Sequence, residues 1–167
     1  MAPRSISEAA RLSAGGRPPP PARRGIIRLA GPADLDAVAA LADAAFDDAR
    51  GPGREELRIS IGRGTVNLLE ADGELQGVII LEPLDDDLFV VTLAVAPEHR
   101  RRGLGRRLIA FAEREARCRG LGSIHLYADR RSRTGLAFYE RLGFRSTAEA
   151  APGRIGGDEV PLVRAVL

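Results

Sequence analysis

The densest chemistry in the sequence lies at residues 95–107, Val-Ala-Pro-Glu-His-Arg-Arg-Arg-Gly-Leu-Gly-Arg-Arg. Gly103 and Gly105 stand among arginines where a buried strand would give way to an amphipathic helix. Such a turn can hold phosphate. The first amides of a helix have no partner within it and carry the positive end of its dipole, and glycine lets an anion approach that backbone. Arg100, Arg101, Arg102 and Arg106 would add charge-assisted bonds to phosphate oxygens. The spacing excludes the two commonest phosphate motifs. A P-loop needs Gly-x-x-x-x-Gly-Lys, and the chain has no lysine; a dinucleotide fingerprint needs a third glycine where Leu108 stands. A solvated basic turn or a nucleic-acid patch is the plainer alternative, but neither needs glycines in register with a helix start.

The elements that must position this turn follow from periodicity. Residues 26–29 read as a strand. Leu35, Val38, Leu41, Ala42 and Ala45 then recur at helical spacing, with Pro32 in the first turn and Asp34 and Asp36 at the positive end. Gly51-Pro52-Gly53 breaks that helix before a shorter one at 54–61. Strands are expected at 66–71 and 74–84, joined by Asp72-Gly73, and a buried strand at 88–95. The long helix runs over 104–119 and stops at Gly120 and Gly122. A strand at 123–128, a helix at 134–142 and strands at 144–148 and 158–167 complete an α/β (mixed α+β) domain. Its central mixed sheet has six to seven strands flanked by about four helices.

Composition bounds what such a domain can be. A chain of 167 residues has room for one folding unit, and 44% hydrophobic with 29% charged residues is ordinary for a water-soluble globule. The longest apolar run falls short of the roughly 18–20 residues of a membrane span, and no secretory signal follows the N-terminus, so the expected compartment is the cytoplasm, with no membrane partner. Cys118 has no second cysteine to pair with, and together with His99 and His125 it makes no spaced zinc set. Residues 1–24, with Pro18 to Pro21, read as a disordered Pro/Arg-rich tail, although an Arg-rich start also fits a targeting segment. Five of the 25 arginines and only Glu8 of the 23 acids lie there, so the body at 25–167 is mildly acidic and argues against nucleic acid as partner. The absence of tryptophan, with two Tyr and five Phe, also argues against a single-strand reader.

Arg100-x-x-Gly103-x-Gly105 resembles the acetyl-CoA signature of the GCN5-related N-acetyltransferases. Downstream, Phe138-Tyr139-Glu140-Arg141-Leu142-Gly143-Phe144 is similar to that family's C-terminal tyrosine motif. With Ile27-Arg28 to Asp34-Leu35 and Val160 to Arg164, the resemblance spans residues 25–167. It implies an acetyl-CoA-dependent N-acetyltransferase domain of GNAT-like fold, with acetyl-CoA as cosubstrate and no metal. It also implies the cofactor contacts: backbone amides at Arg102, Gly103, Leu104, Gly105 and Arg106 for the pyrophosphate, the strand edge at Leu93, Ala94 and Val95 for pantetheine, and an amide near Val95 for the thioester carbonyl. Phe138 belongs to the same cofactor-facing set. Tyr139 would protonate the leaving thiolate, against the plainer reading of a helix tyrosine with a buried ring.

The base is open among Glu82, Asp85 to Asp87 and water held by Thr92, with Glu82 the nominated residue; His125 reads better as a hydrogen-bonded strand histidine. Neither His99 nor Cys118 looks like a nucleophile, which favours direct attack by the amine over an acyl-enzyme. Two positions depart from the pattern. Ser132 stands where asparagine is common, a shorter side chain for the implied contact to CoA, and Gly135 replaces alanine. The acceptor loops at 47–63 and 153–158 show no substrate signature. The expected acceptor is a small primary amine, with a protein N-terminus or lysine as alternative; an inactive acyl-CoA-binding sensor would share the cradle. A homodimer through the final strand is also allowed by this reading.

Overall fold

The computed structural model describes residues 25–46, 51–147 and 158–166; the expectations for the N-terminal tail, for 47–50 and for 148–157 lie outside them. Seven strands form one sheet in the order β1-β2-β3-β4-β5-β7-β6. They are β1 (Ile26–Leu29), β2 (Val66–Ala71), β3 (Glu74–Leu84), β4 (Asp87–Val95), β5 (Ser123–Asp129), β6 (Arg145–Ser146) and β7 (Glu159–Ala165). The helices are α1 (Leu35–Ala45), α2 (Arg54–Gly62), α3 (Leu104–Cys118) and α4 (Arg133–Arg141). Only β4 and β5 run parallel; the other neighbours are antiparallel. Among the described residues no helix is long and apolar enough to cross a membrane.

Helices on both faces make the core two-sided. The stripe Leu104, Leu108, Ile109, Ala112 and Ala116 of α3 is buried against Ile79, Leu81, Leu88 and Val90. On the opposite face Val38, Leu41 and Ala42 of α1 and Leu57 and Ile61 of α2 pack on Leu68, Val78 and Ile80. Each fully buried Leu or Ile contributes roughly 1.5–3 kcal/mol, so α3 is anchored by its apolar stripe while its arginines face outward.

Local rules set the junctions. Asp72 (φ 55°) and Gly73 (φ 78°) both take the left-handed conformation that a two-residue hairpin turn requires, and Ala71 faces Glu74 in register. Pro32 opens a 3₁₀ turn, Pro32–Asp34, rather than the α-helix itself. Asp34 does more than meet the helix dipole. Its carboxylate accepts bonds from the Gly31 amide at 2.8 Å and from Arg28, which also grips Glu70 of β2. That pairing holds the Asp34 carboxyl down to about 2.

Two irregularities of β4 position the site. The β3–β4 register shifts between Ile80, opposite Thr92, and Leu81, opposite Val90, so Val91 is an extra residue. Before it, Leu88 and Val90 face α3; after it, Leu93 and Val95 do, and Ala94 and Ala96 turn to the α1–α2 side. The second irregularity is a parting of strands. β4 pairs with β5 from Asp87–Ser123 to Val90–Leu126 and no further, while β5 continues to Asp129 paired with β7.

Candidate active site

The fork left by this parting holds a concave site. Among the described residues the β4 edge away from β3 has no ladder partner beyond Val90, so its N–H and C=O groups are available to an extended ligand. Ala94 is buried, whereas the side chains of Leu93 and Val95 pack partly exposed over α3. A cavity of about 180 Å³ sits at the fork. Val91, Thr92 and Leu93 of β4 line it with Tyr127 of β5, Tyr139 of α4 and Phe46 after α1.

At the far end of β4 the chain passes through a 3₁₀ turn, Pro97–His99, into α3. Arg101 (φ 64°) and Gly103 (φ 80°) are both left-handed, which makes a tight turn immediately before the helix. Gly103 is the N-cap; no side chain caps the helix, and a Cβ there would meet nothing within 4 Å. The leading amides, at Leu104, Gly105 and Arg106, therefore face outward without intrahelical acceptors. Leu104 itself is buried and locks this end of α3 to the core.

Gly105 differs from the sequence expectation. Its open side points at α4, where a Cβ would lie 3.1 Å from Phe138 Cζ, so the missing side chain makes room for a ring rather than for an anion. Phe138 is thus an interhelix packing residue, and it also meets Tyr139 edge-on at 5.0 Å. Arg100 differs too. Its guanidinium turns back to the carbonyls of Ala45 at 2.8 Å and Val95 at 3.3 Å, tying the turn to α1 and β4. Arg102 NH1 lies 3.4 Å from His99 Nδ1, and Arg101 and Arg106 are exposed. Ser132 is the N-cap of α4, its hydroxyl accepting from the Gly135 amide at 3.1 Å. A Cβ at Gly135 would stand 2.8 Å from that hydroxyl, so the two departures from the family pattern occupy one crowded spot.

Tyr139 lines the cavity with its ring between Phe138 and Phe144, 5.0 and 5.7 Å away. Burial pushes its hydroxyl up to about 12, keeping it a neutral donor. The carboxylates on the cavity wall are Glu56 of α2 and Glu159 of β7. Glu82 is not on that wall. It sits on β3 opposite Phe89, whose ring faces Tyr127 at 5.5 Å. Asp85 (φ 51°) belongs to the β3–β4 turn, and the Asp86 carbonyl accepts the Gly122 amide. Asp87 accepts the Ser123 hydroxyl at 2.6 Å, and His125 Nε2 lies 2.7 Å from that hydroxyl. The aspartate run and His125 therefore serve strand pairing. Buried Thr92 does reach the cavity.

Sequence reasoning missed Glu56 and Glu159. Glu56 lies within the loop region flagged for the acceptor, in the first turn after Gly51-Pro52-Gly53, but only folding shows which carboxylate faces inward. Glu159 reaches the fork through its β-register with Asp129, a long-range pairing that local pattern does not encode.

The model of the "Acetyltransferase (GNAT) family" matches residues 35–144. A rat protein, "N-acetyltransferase family 8 member 3", is 31% identical over 48% of this chain and 38% of its own length. The "[Ribosomal protein bS18]-alanine N-acetyltransferase" of Salmonella typhimurium is 33% identical over 50% of this chain and 57% of its own. The aligned segments thus span less than two thirds of these curated relatives. Among solved structures, PaiA N-acetyltransferase of Thermoplasma acidophilum in complex with coenzyme A superposes with a TM-score of 0.75 at 20% identity, covering 86% of this chain and 99% of that one. That likeness establishes a shared fold.

Proposed function

Because this chain belongs to the acetyltransferase (GNAT) family, we propose that it moves the acetyl group of acetyl-CoA directly to the nitrogen of a small primary amine. The observation that carries the reading is the parting of β4 from β5, with Tyr139 on the wall of the cavity at the fork. The residues fit the cosubstrate in three places: an unpaired strand edge at Leu93, Ala94 and Val95 for amides, an uncapped helix start after Gly103 for a diphosphate, and a cavity for the thioester. Acetyl-CoA supplies an activated acyl carbon and a thiolate leaving group.

The chain's own groups divide the remaining work. An amide of the free β4 edge polarises the carbonyl. Glu56 and Glu159 draw a cationic amine into the cavity, and a carboxylate or water there takes the proton that the amine must lose before attack. As the new C–N bond forms and the C–S bond breaks, the Tyr139 hydroxyl donates a hydrogen bond to the departing sulfur. A hydroxyl at about 12 is a weaker acid than a thiol near 8.5, so Tyr139 passes its proton to the sulfur only as it takes up the second proton that the nitrogen sheds on becoming an amide. The balance is one ammonium and one thioester giving amide, thiol and one released proton.

A second reading, N-terminal acetylation of a protein, is favoured by the match to the ribosomal-protein alanine acetyltransferase. One screen separates them: thiol release from acetyl-CoA with a panel of small amines and peptides. Release with primary amines supports the proposal; release with peptides alone replaces it by the second reading. Acetyl-CoA binding without release from any acceptor identifies a sensor.

A further inference from the structure

The sequence offers no cysteine–histidine set for zinc, yet the fold gathers a different one. Glu74 at the start of β3, with Glu98 and His99 of the 3₁₀ turn, brings one potential ligand atom each to within 4.8 Å of the others. His99 is the unusual member. It is 8% exposed, and its Nε2 is buried without a hydrogen-bond partner. Glu74 Oε2 stands 3.2 Å from that nitrogen without the alignment of a hydrogen bond. Two atoms about 2.0–2.1 Å from a tetrahedral ion are themselves roughly 3.3 Å apart, so the spacing suits two ligands of one cation.

We propose that Glu74, Glu98 and His99 Nε2 form a three-ligand site for Zn²⁺, with water as the fourth ligand. Two carboxylates and a neutral imidazole cancel the ion's charge, and an imidazole with oxygen donors is a set that zinc accepts. The ion ties the β2–β3 hairpin to the turn that leads into α3. None of the three residues lines the cavity, so its role is structural. Metal on Nε2 places the ring proton on Nδ1, so the 3.4 Å approach of Arg102 NH1 to that nitrogen must break on loading, which the exposure of Arg102 permits. This site stands independently of the acetyl-transfer reading.

The test is titration of the full chain, carrying Cys118→Ser to remove the thiol, with zinc chloride in a non-chelating buffer. Calorimetry should show one ion bound, with a thermal midpoint raised by several degrees. Long-range ¹H–¹⁵N spectra should show the His99 proton on Nδ1 after loading. The double variant Glu74→Gln/Glu98→Gln, both positions exposed, should fold and bind zinc at least ~10-fold more weakly. Absence of zinc binding in the parent, equal binding in the double variant, or an unchanged His99 tautomer would each overturn the proposal.

Discussion

In the proposed transfer, burial of the Tyr139 hydroxyl suits it to remain a neutral donor. With its hydroxyl raised to about 12 it stays protonated throughout the working range. Tyr139→Phe should therefore lower turnover by about 10²–10⁴-fold, by the same factor at every pH between roughly 6 and 10, while the dissociation constant for acetyl-CoA stays unchanged. A factor that varied with pH in that window would assign the proton to another group. The two cavity carboxylates predict a different signature. Glu56→Gln or Glu159→Gln should raise KM for a cationic amine about two- to fivefold, as partly solvated charge pairs do, with little change in coenzyme affinity. The place of Tyr139 on a short helix was legible in advance because its flanking residues form a local pattern. The carboxylates bordering the cavity were not: the sequence nominates Glu82 and passes over Glu56, and only the strand register at Phe89 and the docking of α2 separate them.

Between α3 and α4 the contact of Gly105 with Phe138 makes a sharp prediction. Gly105→Val should cost about 1–3 kcal/mol by pressing a side chain into the ring, and Phe138→Ala should relieve much of that, giving a non-additive double-mutant cycle in urea unfolding. Additive costs would mean that the two helices do not meet as described. At the start of α1, Asp34 has a folded value of about 2 against 3.8 unperturbed, a depressed carboxyl whose stabilisation is present above roughly pH 4 and lost as pH falls through about 2. Allowing for the solvent reaching Arg28, Asp34→Asn should cost about 1–2 kcal/mol at pH 7 and progressively less below pH 4, measured by denaturant unfolding at both values. Elements were the most legible scale. The hairpin at Asp72-Gly73 and the first strand matched residue for residue, because turn chemistry and alternation are local. Pro32 fell on a 3₁₀ turn because its ring suits either helix start.

In the whole molecule, the sheet order and the β4–β5 fork arise from pairings distant in sequence, so local pattern yields a mixed sheet, while the place where it opens, between the strand ending at Val95 and the one at 124–127, is implied only by the family resemblance. The alternate backbone amides of β4 beyond Val90 that point away from β3 should exchange quickly in the free protein and slow on addition of coenzyme A, while those paired with β3 stay protected throughout, read residue by residue by hydrogen exchange. At a hundredfold excess over its dissociation constant, the ligand should stabilise the fold by about 2.7 kcal/mol. Protection elsewhere but not along this edge would move the binding site off the fork. The final strand, expected to offer a dimer edge, lies between β5 and β6, with β6 covering Leu162 and Val163.

Four residue pairs alone stitch β4 to β5. The sheet is consequently a garment with a half-closed seam, and whatever lies along the open length becomes a borrowed rung of the ladder. Proteases that strike a loosened chain would then find it most vulnerable when the borrowed rung is scarce, linking how long the protein lasts to the supply of the coenzyme proposed to lie there.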